Sequence, residues 1–181
     1  MDLPQFRYHP DPIRSGSVVE SQEMCKSCGQ SRGYIYAGPV YSEEELDDAI
    51  CPWCIADGSA HKKFDAEFVD SNGFRDGVPE SVLEEISQRT PGFNAWQTEE
   101  WPACCNDAMA FLMPTGIEEI RKDMYEVEGA VMGYIVQEMQ ISGGAARKLL
   151  ESLRKDESGQ PTLYLFQCLH CQRHGFHIDW V

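Results

Sequence analysis

The amino-acid sequence predicts an α+β fold with a cysteine-rich module at the N-terminus, a helical middle and a β-hairpin at the C-terminus. Three observations lead to this prediction: cysteines that occur only in close pairs, a long helical repeat of apolar residues, and two strand-like segments near the end of the chain. A chain of 181 residues with 42% hydrophobic residues can build one compact core. We therefore expect a single domain over residues 1–181.

The first part of the chain has the pattern of irregular and β structure. Three prolines in residues 1–20 predict an extended arm that ends in a short strand near Val18. The stretch 33–39 is bounded by turn formers and is predicted to be β-rich. Apolar residues on one face of 79–88 then predict a short helix, with Pro79 in its first turn.

The segment 93–114 is rich in large side chains, which we expect to form core and to pack around a second group of cysteines. An aromatic cluster of this kind is more often core than a ligand pocket. Its members are Phe93, Trp96, Trp101, Phe111 and Leu112.

The helical repeat begins at Ile117 and continues for about five turns. Gly129 and Gly133 are expected to weaken or kink this helix, because glycine is a poor helix former. A second helix is predicted over 145–154, with Ser142 as its N-cap. Its inward-facing residues are predicted to be Leu149, Leu150 and Leu153.

The segments 162–166 and 176–180 are rich in β-branched and aromatic residues. Their separation predicts a β-hairpin with Cys168 and Cys171 near its tip.

All eight cysteines lie in four pairs, at positions 25/28, 51/54, 104/105 and 168/171. Three pairs have the Cys-x-x-Cys spacing, in which a tight turn can aim both sulfurs at one metal ion. Two such pairs complete a tetrahedral shell of four thiolates, the ligand set typical of structural zinc. The sequence therefore predicts two structural zinc ions.

The first predicted site lies in a treble-clef or ribbon-like zinc module at 21–65. Gly29 follows the first pair, where a left-handed backbone is needed, and the second pair opens a possible helical turn. Disulfides are not expected without an export signal, and a redox-active pair would need a thioredoxin-like βαβ setting. The predicted ligands are Cys25, Cys28, Cys51 and Cys54.

The second predicted site belongs to the helices and hairpin of 93–181. Adjacent cysteines in a strand point to opposite sides, so both can reach one ion only if the backbone turns at that point. The predicted ligands are Cys104, Cys105, Cys168 and Cys171. Substitutes left open by the sequence are His170, His174, His177 and Asp107.

Catalytic zinc keeps an open position for water, which a closed shell of four thiolates does not provide. The sequence also lacks a His-Glu-x-x-His helix, a phosphate loop and a nucleophile elbow. We therefore expect no enzyme activity and no catalytic residues.

The chain carries a formal net charge of −15, which repels phosphate and argues against direct binding of DNA or RNA. Such acidity suits a basic protein partner. No apolar run approaches the roughly 18 residues of a membrane span, and the first twenty residues are too charged for a signal peptide. We expect a cytoplasmic protein that does not contact the membrane.

Five blocks of the sequence are distinctive: 4–12, 51–58, 89–93, 96–101 and 164–171. Together they resemble the CbrC family, a bacterial family named for tolerance to a colicin. The resemblance covers nearly the whole chain, and its most specific block is the one around Cys51 and Cys54. Gln172 departs from the glycine that often follows a second cysteine.

The resemblance implies an immunity or antitoxin protein, because the colicin behind the family's name cleaves DNA. The expected partner is therefore a protein toxin, a nuclease with a basic surface that an acidic protein can cover. Two other classes stay open: a zinc-module adaptor in a stress or colicin-tolerance pathway, and an enzyme or nucleic-acid-binding zinc protein.

One acidic segment, 43–48, is a candidate contact with such a partner, since it carries five acids within six residues beside the first zinc module. The alternative interpretation is a solvated helix start after Ser42, where acids favour the helix N-terminus. Its acidic residues are Glu43, Glu44, Glu45, Asp47 and Asp48.

Overall fold

The computed structural model describes residues 2–74, 77–97, 99–155 and 159–180, except for the Ser71 side chain. The predicted mixture of helix and sheet is confirmed. The strands are β1 (Val18–Glu20), β2 (Tyr34–Tyr36), β3 (Ala103–Cys104), β4 (Asp107–Ala108), β5 (Ala110–Thr115), β6 (Thr162–Gln167) and β7 (His174–Asp179). The helices are α1 (Pro52–Ala56), α2 (Ser59–Phe64), α3 (Glu80–Arg89), α4 (Ile117–Asp123), α5 (Tyr125–Gln137) and α6 (Gly143–Ser152), with a 3-10 turn at Ser71–Gly73.

The N-terminal module is built on the antiparallel pair β1–β2, with Val18 opposite Tyr36. The first cysteine pair lies in the connection between these strands, and α1 begins directly after Cys51 with a proline at its start. The assignment of this module to a treble-clef or ribbon-like fold stays a prediction. Fully buried residues of this module include Ile35, Ile50 and Ile55, and Phe68, just after it in the chain, packs into the same core.

Helix α3 lies where the sequence predicts it, although Pro79 is its N-cap and not part of its first turn. Its buried face includes Ile86 and Ser87. The backbone N–H of Phe68 donates to the carbonyl of Ser87 at 2.6 Å, which ties α3 to the N-terminal module.

The C-terminal half centres on the antiparallel sheet β5–β6–β7. The predicted hairpin is its β6–β7 part, while β5 adds a strand that the sequence analysis assigned only to core. Side chains alternate along each strand. Leu163 and Leu165 pack with α4, α5 and α6, whereas Tyr164 and Phe166 pack into the aromatic cluster on the opposite face.

The aromatic cluster confirms most of the predicted core. Phe93 stacks on Phe111 with ring centroids 4.3 Å apart, and the Trp101 indole N–H donates to the Met109 carbonyl at 2.6 Å. Trp96 is a correction, because it is 38% exposed. Leu112 is also only partly buried, and it packs against the helical face of the sheet.

The predicted five-turn helix is two helices, α4 and α5, and the break is at Met124 instead of at the glycines. Met124 leaves the helical region, with φ −147° and ψ 41°. Gly129 and Gly133 stay inside α5. Burial of Val127, Val131 and Ile135 along one face of α5 outweighs a cost of about 1 kcal/mol for each glycine.

Helix α6 begins at Gly143, two residues before the predicted start. Ser142 occupies the N-cap position, but its side chain makes no capping hydrogen bond. Leu150 and Leu153 are buried as predicted, whereas Leu149 is only partly buried.

The N-terminal arm ends in the predicted strand, but it bends at 7, 8 and 10, turns at 12–16 and is part of the core. Phe6, Tyr8 and His9 are buried, and the Tyr8 carbonyl accepts a 2.8 Å hydrogen bond from Phe111 N. The arm therefore covers the outer edge of β5. None of the helices in the described ranges has both the length and the apolar character to traverse a bilayer.

Candidate metal centres

The first cysteine pair sits on a tight turn that the backbone closes with two hydrogen bonds. Cys25 N donates to the Gln30 carbonyl at 3.0 Å, and Gly29 N donates to the Cys25 carbonyl at 2.7 Å. Gly29 has φ +69°, a conformation that glycine adopts without strain. The turn holds Cys25 and Cys28 with their sulfurs toward one point, as the Cys-x-x-Cys spacing predicts.

The second pair is positioned by α1. Cys51 is the N-cap of this helix and Cys54 lies in its first turn. Cys51 N donates to the Cys25 sulfur at 3.3 Å, so the helix start also stabilises a thiolate of the other pair. Proline at the first helical position fixes the backbone next to the ligand.

The four sulfurs of Cys25, Cys28, Cys51 and Cys54, called site 1 from here, lie within 4.8 Å of one another and could hold a metal ion. The Cys28 and Cys51 sulfurs are 3.9 Å apart. A tetrahedron with metal–sulfur bonds of about 2.3 Å has edges of about 3.8 Å. Three of the four cysteines are at most 2% exposed, and Cys28 is half-buried.

Without a bound cation, the thiols of site 1 differ in their pKa values. A hydrogen bond from the Cys51 side chain, together with backbone N–H groups of Cys51, Cys28 and Ser27, lowers the pKa of the Cys25 thiol to about 4 despite burial. The same thiol contact and burial raise the pKa of Cys51. Full ionisation of the group therefore needs a cation to compensate the negative charges.

The C-terminal pair repeats the backbone geometry of the first. Cys168 N donates to the Arg173 carbonyl at 2.8 Å, and Gln172 N donates to the Cys168 carbonyl at 3.1 Å. In both turns, the donor and acceptor residues of these two hydrogen bonds are five and four positions apart in the chain. Gln172 has φ +61°, so it adopts the left-handed conformation that Gly29 has in site 1. The sequence departure at Gln172 therefore leaves the turn intact, at a cost of about 1 kcal/mol.

The adjacent pair Cys104 and Cys105 reaches one point because the chain turns between β3 and β4. Cys105 and Asn106 have φ +55° and +58°, and they form the two-residue loop of this hairpin. Two consecutive left-handed residues are typical of the tight turn that matches strand twist. The turn that the sequence analysis required at this point is present.

The four sulfurs of Cys104, Cys105, Cys168 and Cys171, called site 2, also lie within 4.8 Å of one another and could hold a metal ion. The Cys104 sulfur is 3.8 Å from that of Cys105 and 3.7 Å from that of Cys171. Site 2 differs from site 1 in exposure, because Cys105 and Cys171 are exposed and only Cys168 is buried.

Backbone donors favour a thiolate in site 2 as well. Although burial opposes ionisation, the N–H groups of Cys171 and His170 lower the pKa of Cys168 to about 6. They lie 3.5 and 3.4 Å from its sulfur. Burial and the contacts with Cys168 and Cys171 raise the pKa of Cys104 to about 12. The backbone donors therefore favour the ionised form of Cys168 over that of Cys104.

Three of the four residues considered as substitute ligands, Asp107, His170 and His177, have other contacts. Asp107 accepts hydrogen bonds from Arg7 and Tyr8 at 2.7 Å and contacts the His170 ring at 2.8 Å. His177 stacks on the Tyr164 ring. Neither Asp107 nor a described histidine belongs to the two groups of ligand atoms. Asp107 instead supports site 2 from outside, a role with no signal in the sequence because Tyr8 is 99 residues away.

The acidic segment 43–48 forms no helix, so its interpretation as a helix start is wrong. Ser42 Oγ accepts from Glu44 N in a local turn, and Leu46 is buried and anchors the segment. This leaves the acidic side chains at the surface, six positions or fewer from the buried Ala49–Cys51 stretch of the module. The exposed acids are Glu43, Glu44, Glu45, Asp47 and Asp48.

Comparison with known proteins identifies the family. The model of a family described as "Uncharacterised protein family (UPF0167)" matches residues 3–180. UPF0167 proteins of Mycobacterium bovis and Mycobacterium tuberculosis are each 49% identical over 181 residues, covering 99% of this chain and 94% of their own. The UPF0167 protein of Pseudomonas aeruginosa is 39% identical over 181 residues, covering 99% of this chain and 98% of its own. No solved structure matches this chain. A match of this length and identity establishes that the chain belongs to the uncharacterised protein family UPF0167.

Proposed function

We propose that this protein is a cytoplasmic immunity protein, stabilised by two structural zinc ions, that binds a bacterial nuclease toxin and covers its basic substrate-binding surface. The proposal assigns no catalytic residue to the chain. Its mechanism is noncovalent: the zinc ions hold the shape of the protein, and acidic surface residues meet the partner.

The choice of zinc follows from the ligand chemistry. Four thiolates at tetrahedral spacing suit zinc, which has no geometric preference of its own and no redox chemistry. An ion bound by all four sulfurs of either group would have no position left for a reacting water. A stabilising role is thus the role that both sites support best.

One observation carries the choice of partner: the acidic segment is exposed beside site 1, on a chain of net charge −15. Eight ligated thiolates and two divalent ions would move this charge to about −19. Opposite charge accelerates the encounter of two proteins and favours a basic partner over other surfaces. The resemblance to the CbrC family supports a nuclease toxin as that partner.

This proposal is tested by whether the protein protects cells from a toxin. Cells that express the protein should survive one cognate nuclease toxin and die from unrelated toxins. The purified proteins should bind in a 1:1 ratio, with an association rate that falls on the order of tenfold as salt rises from low to high concentration, because salt screens the steering charges. Salt-independent association would contradict the electrostatic mechanism even if the protein protects.

A charge-reversal pair locates the contact. The variant Glu44→Lys/Asp47→Lys should associate more slowly and lose protection. Asp48 is avoided because its φ of +50° would strain a lysine. The control Glu84→Lys/Asp123→Lys changes the net charge equally at exposed positions on α3 and α4. Equal loss of protection in both double variants would show that only net charge matters. A co-purifying partner that is not a toxin would favour the adaptor hypothesis.

A further inference from the structure

Strand β7 is an outer strand of the β5–β6–β7 sheet, and its outer edge differs from that of β5. The N-terminal arm covers β5, as the hydrogen bond from Phe111 N to the Tyr8 carbonyl shows. Strand β7 pairs with β6 on one side, and no other strand of the described residues pairs with its second side. An edge of this kind presents a row of backbone donors and acceptors to any strand that can approach.

The pairing register identifies the outward-facing groups. Hydrogen-bonded and non-hydrogen-bonded pairs alternate along an antiparallel ladder. The bond from Cys168 N to the Arg173 carbonyl places a hydrogen-bonded pair at the hairpin end, and the register continues with Gln167 opposite His174. The N–H and C=O groups of His174, Phe176 and Ile178 therefore face outward. Among the described residues, no hydrogen bond reaches these groups.

This edge is the floor of two hollows that follow each other along β7. The first, about 490 Å³, lies between β7 and a wall formed by α5, and its lining extends to Cys104 of site 2. The second, about 270 Å³, is lined by the C-terminal half of β7 with Gln97 and Glu100. Together they span the length of an added strand.

The α5 wall of the first hollow combines two small residues with the larger Tyr134 and Gln137, and the Tyr134 ring lies 5.7 Å from that of Phe176. Ala130 and Gly133 line it, and a Cβ built on Gly133 would meet nothing within 4 Å. The wall thus leaves room for the side chains of an incoming segment. At the far end of β7, Trp180 is 42% exposed, and aromatic residues of this kind often anchor interfaces.

The charge of the residues that line the two hollows favours a basic segment as the bound partner. The lining carries Glu138, Glu100 and Asp179 against Arg173, and the chain as a whole has a net charge of −15. A second copy of the protein would bring the same negative charge to the edge and be repelled. A segment with basic residues would be attracted.

We propose that β7 is a docking site for an extended, basic segment of a protein partner, which joins the sheet as a fourth strand beside His174, Phe176 and Ile178. This surface is built from other elements than the acidic segment, and the inference goes beyond the proposed function. It does not require the partner to be a toxin.

The test uses zinc-loaded protein and an alternating lysine–valine peptide about ten residues long, which can span one strand. Hydrogen exchange of single amides is followed by NMR. In the free protein, the amides of His174, Phe176 and Ile178 should exchange faster than those of Gly175 and His177. Saturation with the lysine–valine peptide should slow the exchange of the His174, Phe176 and Ile178 amides about tenfold or more. An alternating glutamate–valine peptide should leave their exchange unchanged.

A matched pair of variants locates the binding. Gly133→Leu fills the first hollow and should lower the affinity for the lysine–valine peptide about tenfold. Gly129→Leu is the control, because it lies on the same helix in equally open space but lines a different hollow. Three results would overturn the proposal: slow exchange of the three amides in the free protein, equal binding to both variants, or equal binding of both peptides. Because no toxin is used, failure of the immunity function would leave this result unchanged.

Discussion

The Tyr8 hydroxyl donates a 2.7 Å hydrogen bond to Asp107 Oδ1 from a position 99 residues earlier in the chain. Arg7 and His170 contact the other carboxylate oxygen, at 2.7 and 2.8 Å. Although burial opposes ionisation, the hydrogen bonds from Tyr8 and His170 and the nearby Arg7 charge lower the pKa of Asp107. One carboxylate thus joins the N-terminal arm to the knuckle of site 2.

We expect Tyr8→Phe to destabilise the protein by about 1–3 kcal/mol, because it removes a hydrogen bond to a buried charged group. Urea unfolding with zinc in excess measures this change. The control Tyr125→Phe removes a hydroxyl from a side chain that is 77% exposed and should change stability by less than about 0.5 kcal/mol. Equal effects of the two variants would contradict a structural role for the Asp107 contact.

Metal analysis of protein purified without chelator should give about two zinc ions per chain, one for each group of four thiols. Cys54→Ser should remove one ion and Cys171→Ser the other. Each loss removes much of a binding free energy on the order of 10 kcal/mol, so both variants should unfold or aggregate more readily.

Cys105→Ser tests the ligand set of site 2 separately. It should lower the metal content to the same value as Cys168→Ser, because both sulfurs belong to one group. Retention of two ions in Cys105→Ser would remove Cys105 from the set. A fully folded protein without metal would contradict the structural role of both sites.

The two sites should differ in lability. The cysteines of site 2 include two exposed residues, Cys105 and Cys171, whereas Cys51 and Cys54 of site 1 are 0% and 2% exposed. Chelators and alkylating reagents reach exposed thiols first. Partial chelation followed by alkylation and mass spectrometry should label Cys105 and Cys171 roughly tenfold faster than Cys51 and Cys54. Simultaneous labelling would show that the two sites open together.

Glu99 should make stability depend on pH. Burial raises its pKa from 4.5 to about 8, against hydrogen bonds from Phe93 N and Asp70 N. The folded protein therefore holds a proton that the unfolded chain releases near pH 4.5, and stability falls as pH rises from about 4.5 to 8. Above pH 8 the loss is complete, since both states are ionised.

The variant Glu99→Gln stays neutral and isolates this effect. The free energy of unfolding of this variant, minus that of the parent protein, should increase by about 1 kcal/mol for each unit that the pH rises between about pH 5.5 and 8. Both proteins keep all eight cysteines, so the pH dependence of metal binding cancels in the difference. Glu44→Gln, which removes an exposed carboxylate, serves as control. A difference that does not change with pH would mean that Glu99 is ionised in the folded protein.

The local features of this fold were the predictable ones. Spacing predicted the three Cys-x-x-Cys turns, because such a turn is set by a few neighbouring residues, whereas the place of Cys104 and Cys105 in site 2 stayed open to substitutes. Apolar periodicity likewise placed α3 and the β6–β7 hairpin. Both signals come from interactions between residues close in the chain, and the structure retains them.

Features set by distant contacts were missed. The prolines predict an extended arm without indicating its burial, but Tyr8 and His9 are buried against residues about 80 to 100 positions away. Sequence likewise gave no sign that the helical repeat breaks at Met124, or that Leu46 holds the acidic segment in a loop. In each case tertiary packing overrides a local preference.

The two sites close loops of different size. Twenty-two residues separate Cys28 from Cys51, and 62 separate Cys105 from Cys168. Loop-closure entropy therefore costs about 1 kcal/mol more at site 2. Site 1 has all its ligands once residue 54 has been synthesised, whereas site 2 must wait for residue 171 of 181. During synthesis the N-terminal module could therefore bind a metal ion while the rest of the chain is still missing, and the arm must remain undocked until β5 exists to receive it.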